Sequence, residues 1–220
     1  MNNVKQLEEQ ISLLLEKKEI VYLLQIGSND GIDCDPIHDI VIANEKIFCY
    51  FIEPQREIFE ILMKNYCHIK QRSVFINNAI FETNNKVKLF KNSKGTSGNS
   101  SLLLRKNLGD RTNFNKDNYE LVDGITFETL LNRYNIINID IIIIDTEGYD
   151  LNIIKQIMSS SKRPKIIFSE KPNPDPNDDR NGLVKTGPQA FEETNLILIN
   201  NGYNVIYLDE GILSIFNKEG

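Results

Sequence analysis

Apolar runs of strand length alternate with amphipathic segments along most of the chain. Apolar runs predict buried strands at 21–26, 47–52, 74–80, 139–144 and 165–168, with a shorter strand at 87–90 in an edge hairpin. Amphipathic segments with helix start signals predict helices at 35–44, 55–66, 126–134, 151–158 and 188–200. This alternation predicts an α/β domain with a mostly parallel sheet that helices cover on both faces.

The two ends of the chain depart from this alternation. Residues 205–208 and 212–216, joined by Asp209-Glu210-Gly211, predict an antiparallel hairpin that adds one antiparallel strand near a sheet edge. Residues 3–19 predict a helix with apolar positions at heptad spacing. We interpret residues 1–19 as an accessory helix packed on a single domain, 20–220. A dimer contact is the less favoured alternative, because fewer than three heptads are short for a coiled coil.

Two long polar segments interrupt the pattern, at 92–119 and 171–188. Both predict loops, and loops of this length in a compact domain are usually functional or partly disordered.

Composition narrows the class of protein. With 220 residues and a net charge of −6, the chain suits one globular domain and does not suit a general nucleic-acid binder. The sequence lacks an apolar run of the ~20 residues that a membrane span needs, and its first residues do not form a signal peptide. Its three cysteines have no metal-ligand spacing, and their odd number indicates free thiols in a reducing compartment. We expect a cytoplasmic protein.

The stretch VYLLQIGSNDG, residues 21–31, is the first candidate ligand-binding feature. A strand runs into the loop Gly27-Ser28-Asn29-Asp30-Gly31, whose glycines allow a sharp bend and a close approach to a ligand. Strand, glycine-containing turn and helix form the opening unit of cofactor-binding α/β domains. The loop is not the G-x-G-x-x-G fingerprint, which argues against the alternative of an NAD-linked oxidoreductase.

Polar side chains follow nearly every predicted strand. Because ligands bind outside the carboxyl ends of the strands in an open α/β sheet, these side chains should share one rim. Glu53 follows the second strand at the spacing of an acidic residue that binds ribose hydroxyls, although it could merely favour a helix N-terminus. Asn78 is a candidate adenine contact or a turn residue. The acidic residues at the later strand ends are Asp145, Glu147 and Glu170.

Some side chains at or near this rim could also act as a base toward a bound ligand. The candidate catalytic residues are His38, Asp145, Glu147 and Glu170. We interpret Asp150 as the cap of helix 151–158. The carboxylates could alternatively hold Mg²⁺ or Ca²⁺, which the sequence leaves open but does not favour, and we assign no metal ligand.

Four segments, LLQIGSNDG, CYFIEP, FINNAI and IIIIDTEGYD, together resemble the S-adenosylmethionine-dependent methyltransferases of the FkbM type. The resemblance runs from about residue 20 to residue 216, and IDTEGYD at 144–150 is its most specific part. One departure is the glycine loop, which is Gly-Ser-Asn-Asp-Gly here where many family members have Gly-Ala-Asn-x-Gly.

The resemblance implies a Rossmann-like seven-stranded methyltransferase sheet and an S-adenosylmethionine site. It implies that Gly27, Ser28, Asn29, Asp30 and Gly31 wrap the methionine portion of the cofactor. It further implies that Glu53 holds the ribose and that Asn78 and Ala79 lie by the adenine; we add Pro54 and Asp145 to the same site.

We therefore expect an O-methyltransferase that acts on a hydroxyl of a sugar, nucleotide sugar or glycan precursor. The sugar preference follows from the resemblance and from the polar, aromatic-poor loops. The alternatives are N-methylation of a small amine or phosphoramidate, and a non-catalytic cofactor-binding module. The expected partner is a small molecule or saccharide, with no nucleic acid and no membrane span, and a homodimer stays open.

Overall fold

The structure, a computed structural model, describes residues 3–92, 100–103, 114–170, 187–208 and 211–217. Its helices are α1 (Asn3–Lys17), α2 (His38–Ala43), α3 (Arg56–Asn65), α4 (Phe127–Arg133), α5 (Asp150–Ser159) and α6 (Gly187–Asn200). Its strands are β1 (Val21–Ile26), β2 (Ile47–Ile52), β3 (Ser73–Ile76), β4 (Ala79–Ile80), β5 (Lys86–Asn92), β6 (Phe114–Ile125), β7 (Ile141–Ile144), β8 (Ile166–Glu170), β9 (Tyr203–Tyr207) and β10 (Gly211–Phe216).

The main sheet has seven strands in the order β3-β2-β1-β7-β8-β10-β9. Strands β3, β2, β1, β7 and β8 pair in parallel, whereas β10 is antiparallel to both β8 and β9. This arrangement confirms the predicted Rossmann-like sheet with its C-terminal antiparallel hairpin.

Strand β7 shows why the sheet is covered on both faces. Its four isoleucines are all buried, and successive side chains point to opposite faces. Ile141 and Ile143 join the core beneath α1, α2 and α3, while Ile142 and Ile144 join the core beneath α4, α5 and α6. Uniform apolarity is thus what a central strand between two helical layers requires.

Helix α1 packs on the body of the domain through Leu7 and Ile11, which are fully buried. After the helix, Lys18 forms an ion pair with Asp140, at 2.5 Å between Nζ and Oδ1. The other oxygen of Asp140 accepts a hydrogen bond from the backbone N–H of Tyr22 at 2.9 Å. These contacts fix the entry of the chain into β1, and whether α1 also mediates a dimer stays a prediction.

The prediction of one strand over residues 74–80 was wrong. Strand β3 ends at Ile76, and β4 belongs to a second, three-stranded sheet with the order β4-β6-β5. Asn77 Nδ2 between the two strands donates to the backbone oxygens of Glu53 and Pro54 at 2.8 and 3.0 Å. These amide contacts end the pairing with β2 and carry the chain from one sheet to the other.

The prediction of a loop over 92–119 missed strand β6, which pairs antiparallel with β5. Most residues of β6 are polar, and its first half, FNKDNY, shows neither a regular alternation nor an apolar run. Even Leu121, in its second half, is 59% exposed. Val122 and Ile125, near its end, are buried. The rest of the two predicted loops, 93–99, 104–113 and 171–186, lies outside the described residues.

The start of α2 and the role of Asp150 also differ from the prediction. Helix α2 begins at His38 rather than at residue 35, because Cys34 has a left-handed backbone (φ 58°) and Asp35 accepts a hydrogen bond from Ile37 N. Asp150 is not the cap of α5: the helix starts at Asp150 itself. Thr126 caps α4, since its hydroxyl accepts from Thr129 N at 3.1 Å. Across the described part of the chain, each helix is too short or too polar to cross a bilayer.

Candidate active site

A cavity of about 580 Å³ opens at the carboxyl ends of β1, β2 and β7, with the second sheet forming its other wall. Its lining combines a glycine turn, strand-end carboxylates and an apolar wall. The described residues that line it are Gln25, Gly27, Ser28, Asn29, Asp33, Cys34, Asp35, Pro36, Glu53, Pro54, Gln55, Ala79, Ile80, Leu89, Ser100, Leu102, Ile143, Asp145, Thr146 and Glu147.

Gly27 permits the close approach of two strand ends. Its φ is +82°, and a Cβ built there would lie 1.8 Å from the backbone oxygen of Asp145. Its N–H donates to Ile52 O at 3.0 Å, and Ser28 Oγ accepts from Ile52 N at 3.1 Å. The glycine turn is therefore bound tightly to the ends of both β2 and β7, and an alanine at position 27 would separate them.

Glu53 is buried in the cavity wall. Its Oε2 accepts from Asn29 N at 3.0 Å and its Oε1 accepts from Gln55 N at 2.8 Å. Burial raises the pKa of its carboxyl to about 7, although these two backbone hydrogen bonds act to lower it. Each oxygen keeps a further acceptor site, so the side chain can accept hydrogen bonds from two neighbouring hydroxyls, as a ribose offers.

The turn after β7 brings polar groups to the cavity mouth. Asp145 N donates to Ile26 O at 2.9 Å, which keeps the turn beside the end of β1. Glu147 has a left-handed backbone (φ 54°), a conformation that costs energy for a residue with a side chain.

Two side chains hold this strained turn. Asp150 Oδ2 accepts from Thr146 Oγ1 at 3.0 Å and from Gly148 N at 3.3 Å. Ser101 is fully buried and donates from Oγ to the backbone oxygen of Glu147 at 2.9 Å. The turn thus places Asp145, Thr146 and Glu147 along one side of the cavity.

Five of the site residues predicted from the sequence are not among the lining residues, namely Asp30, Gly31, His38, Asn78 and Glu170. The Asp30 carboxylate accepts from Ile32 N and Asp33 N, both at 2.9 Å, and so closes the turn after the glycine loop. Gly31 has φ +77°, and a Cβ there would lie 2.3 Å from the Tyr66 ring.

The histidine and the amide also have contacts within the protein. His38 Nδ1 lies 2.7 Å from Gly31 O; because a carbonyl oxygen only accepts, Nδ1 carries the proton. Asn78 Nδ2 donates to Asp123 O at 3.1 Å, while the neighbouring Ala79 lines the cavity. Glu170 is the last residue of β8. The roles predicted for these residues stay predictions.

Gln25 and Asp35 also line the cavity and were not predicted from the sequence. Gln25 Nε2 donates to Asp35 Oδ1 at 3.2 Å, and Tyr66 Oη donates to Asp35 Oδ2 at 3.2 Å. Burial raises the pKa of Asp35 to about 6. One signal was visible: Gln25 is the single polar residue in the apolar strand VYLLQI. The apolar wall, Ile80, Leu89 and Leu102, was also missed, because it depends on the second sheet.

The described lining is acidic. It contains Asp33, Asp35, Glu53, Asp145 and Glu147 and, within the described residues, neither lysine nor arginine. Such a lining favours a ligand with positive charge, and a sulfonium that also bears an ammonium group meets this condition. Among the described residues, no three His, Cys, Asp or Glu side chains are grouped so that they could hold a metal ion.

Residues 25–205 match the family model described as the methyltransferase FkbM domain. No curated protein sequence matches the chain. Among solved structures, the chain is similar to methyltransferase FkbM from Methylobacillus flagellatus KT, with 14% identity and a TM-score of 0.51; the match covers 90% of this chain and 44% of that one. The chain thus spans under half the length of that protein.

Two further solved structures share the fold. A putative caffeoyl-CoA O-methyltransferase from Staphylococcus aureus has 12% identity and a TM-score of 0.53, with 99% of this chain and 93% of that one covered. An O-methyltransferase from Bacillus cereus in complex with SAH has 11% identity and a TM-score of 0.52, with 93% and 78% covered. At these identities the likeness shows a common fold.

Proposed function

We propose a substrate class for this chain, which belongs to the FkbM family of S-adenosylmethionine-dependent methyltransferases. The proposed reaction is methylation of a hydroxyl of a sugar, nucleotide sugar or glycan precursor. One observation carries the proposal. The described residues that line the cavity include no aromatic side chain, whereas Ser100, Asp145, Thr146 and Glu147 add hydroxyl and carboxylate groups to the lining. Such a lining suits a polyhydroxylated acceptor better than a flat aromatic one.

The cofactor's place in the cavity is part of this proposal. Glu53, beside Pro54, receives the ribose hydroxyls, and the glycine turn over Gly27–Asn29 receives the methionine portion. Ala79, with Ile80 and Leu89 of the second sheet, offers the apolar surface for the adenine. The acidic lining complements the cofactor's positive charge, which supports this placement.

The chain's contribution to the reaction is positioning and proton removal. The cofactor, held by Glu53 and the glycine turn, would supply a methyl group on a sulfonium for in-line transfer to the acceptor oxygen. Holding donor and acceptor in this geometry can lower the barrier by up to ~7–11 kcal/mol. The acceptor oxygen must also lose its proton, and we assign that proton to the carboxylate of Glu147, which lines the cavity on a turn held by Ser101.

Glu147→Gln tests this assignment. Since general-base catalysis contributes about 10²–10⁴-fold, the variant should turn over at least about 100-fold more slowly while it binds cofactor as the wild type does. Glu57→Gln, on the exposed side of α3, is the matched control and should keep wild-type turnover. Equal turnover in both variants would remove Glu147 as the base.

A screen with labelled S-adenosylmethionine tests the acceptor class. The panel should contain free sugars, glycans, nucleotide sugars, catechols and small amines. Transfer to the hydroxyl of a sugar-containing acceptor is the expected result, and transfer to catechols alone would overturn the proposal.

N-methylation of a small amine is the second candidate function. The acidic lining favours it as well, because a protonated amine would be attracted to the same carboxylates. Labelled product from the amine arm of the screen, without product from the sugar arm, would establish this alternative.

A further inference from the structure

Thr146 lines the cavity between two carboxylates, and its hydroxyl proton is already used within the protein. Its neighbours in the chain, Asp145 and Glu147, line the same cavity. Thr146 Oγ1 donates a hydrogen bond to Asp150 Oδ2 at 3.0 Å. A hydroxyl has one proton to donate and two lone pairs that accept. Toward a ligand, this hydroxyl therefore acts as an acceptor.

Asp150 keeps the hydrogen bond in this direction. The residue is 5% exposed, and its Oδ2 also accepts from Gly148 N at 3.3 Å. Burial raises the pKa of its carboxyl to about 6, so at pH 8 the carboxyl is ionised and has no proton to give to Thr146. The direction of the hydrogen bond thus follows from the charge of its acceptor.

The position of the Thr146 hydroxyl is fixed as well. Thr146 Cγ2 would lie 3.4 Å from a Cβ on Gly27, so the methyl group faces the glycine turn. A β-branched side chain has few rotamers, and contacts at both Gly27 and Asp150 hold this one in a single orientation. Thr146 Oγ1 is therefore a preorganised acceptor in the wall of the cavity.

The turn after β7 pairs this acceptor with the carboxylate that we assign as the base. Cα atoms of consecutive residues are about 3.8 Å apart, so Thr146 and Glu147 can contact neighbouring hydroxyls of one acceptor molecule. Glu147 takes the proton of the hydroxyl that is methylated, and Thr146 Oγ1 is left for a hydroxyl beside it.

We propose that Thr146 selects acceptors in which the carbon atom next to the methylated hydroxyl carries a second, free hydroxyl. Thr146 Oγ1 accepts a hydrogen bond from that second hydroxyl. This proposal rests on the proposed methylation of a sugar hydroxyl. It also implies that transfer stops after one methyl group per pair of hydroxyls, because a methyl ether has no proton to donate to Thr146.

Steady-state kinetics with modified acceptors test the proposal. The parent probe is the monosaccharide or nucleotide sugar with the highest rate in the acceptor screen. Its analogues carry hydrogen or fluorine in place of each hydroxyl beside the methylated one, one position at a time. At one of these positions, wild-type kcat/KM should fall about tenfold, and equally for hydrogen and fluorine, because neither substituent donates a hydrogen bond.

Variants of Thr146 locate the effect. Thr146→Val removes the hydroxyl at nearly constant shape, so kcat/KM should fall about tenfold for the parent and stay within about twofold for the analogues at that position. Thr146→Ser retains a hydroxyl and should restore the preference for the parent. In calorimetric titration, both variants should bind S-adenosylhomocysteine within about twofold of the wild type. Thr83→Val, in an exposed segment, is the control and should change none of these values.

The outcomes separate this inference from the proposed function. If no sugar-containing acceptor reacts, the proposed function is wrong and the inference falls with it. If a sugar reacts but the wild type turns over the parent and all analogues equally, Thr146 does not select a second hydroxyl. Equal losses with parent and analogues in Thr146→Val would show that Thr146 only shapes the turn, and would also overturn the inference. The comparison of acceptors in the wild type decides the matter if thermal unfolding shows that Thr146→Val does not fold.

Discussion

Glu53 combines a buried carboxylate with two backbone donors at the end of β2. Its pKa is raised from an ordinary value of 4.5 to about 7 by burial, so the carboxyl gains a proton as the pH falls through neutrality. Only the ionised form can accept hydrogen bonds from both hydroxyls of a ribose while it keeps its two backbone donors. Cofactor affinity should therefore fall as the carboxyl is protonated.

The first prediction concerns the size of this fall in cofactor affinity. For a group with a pKa near 7, lowering the pH from 8 to 6.5 reduces the ionised fraction about fourfold, and the association constant of S-adenosylhomocysteine should fall by the same factor. Calorimetric titration across this range measures it. Glu53→Gln should bind more weakly at pH 8 and show a flat profile; a flat profile in the wild type would contradict the prediction.

At the scale of single residues, strand ends predicted part of the cavity lining. Glu53, Asp145 and residues 27–29 of the glycine loop line the cavity, because the carboxyl ends of parallel strands meet at one edge. Glu170, at the end of β8, does not line it. The contact between Gln25 and Asp35 was not predictable in this way. It depends on Cys34, whose left-handed backbone redirects the chain, and no residue-type signal marks that conformation.

Segment 100–103 links the second sheet to the turn after β7. Ser101 forms an antiparallel bridge with Phe90 of β5 through backbone hydrogen bonds of 2.8 and 3.0 Å. Its hydroxyl donates to Glu147 O and accepts from Leu103 N. The segment thereby ties the wall of the cavity to the strained residue we assign as the base.

The second prediction concerns this tie. Ser101→Ala should cost about 1 kcal/mol of unfolding free energy, since it removes a buried hydrogen bond, and should lower kcat more than it changes cofactor affinity. Urea unfolding and steady-state kinetics measure the two effects. Ser159→Ala removes an exposed hydroxyl from α5 and should change neither quantity. A Ser101→Ala variant with wild-type kcat would show that the contact does not position the turn.

Helix α1 carries the third prediction. Leu7→Ala and Ile11→Ala should each lower the unfolding free energy by about 2–5 kcal/mol, because both side chains are fully buried against the sheet. Leu13→Ala is the control, since Leu13 is nearly half exposed and should cost little. Unfolding midpoints that rise with protein concentration would indicate self-association of the chain, which a dimer contact through α1 requires.

Among the elements, the central strands were predictable and the second sheet was not. An isoleucine run such as that of β7 has few alternatives to a strand buried on both faces. Strand β6 is stabilised by pairing with β5, both through backbone hydrogen bonds and through side-chain contacts such as that of Tyr119 with Phe90. Its buried side chains, Val122 and Ile125, lie near its end. Pairing of this kind is a tertiary contact, so a local sequence pattern does not reveal it.

The whole molecule places its cavity between two sheets. One wall is the end of the parallel sheet and the other is formed by β4, β5 and segment 100–103. The alternation of strands and helices predicted a mostly parallel sheet, and the family resemblance implied its seven strands. The second wall was not predicted, because it depends on the pairing of β6 with β4 and β5. A ligand that contacts both walls should therefore stabilise the two sheets together against unfolding.

The fourth prediction uses that coupling to separate the two cofactor classes considered for the chain. A ligand that binds only the folded state at 100 times its Kd adds about 2.7 kcal/mol to the unfolding free energy, which corresponds to about 5–10 °C in Tm for a protein of this size. S-adenosylhomocysteine should produce this shift in a thermal-unfolding scan. NAD should not, because the glycine turn lacks the G-x-G-x-x-G sequence that binds a pyrophosphate, and because carboxylates line the cavity where a pyrophosphate would need positive charge. A shift with NAD equal to that with S-adenosylhomocysteine would show that the acidic lining does not select the ligand.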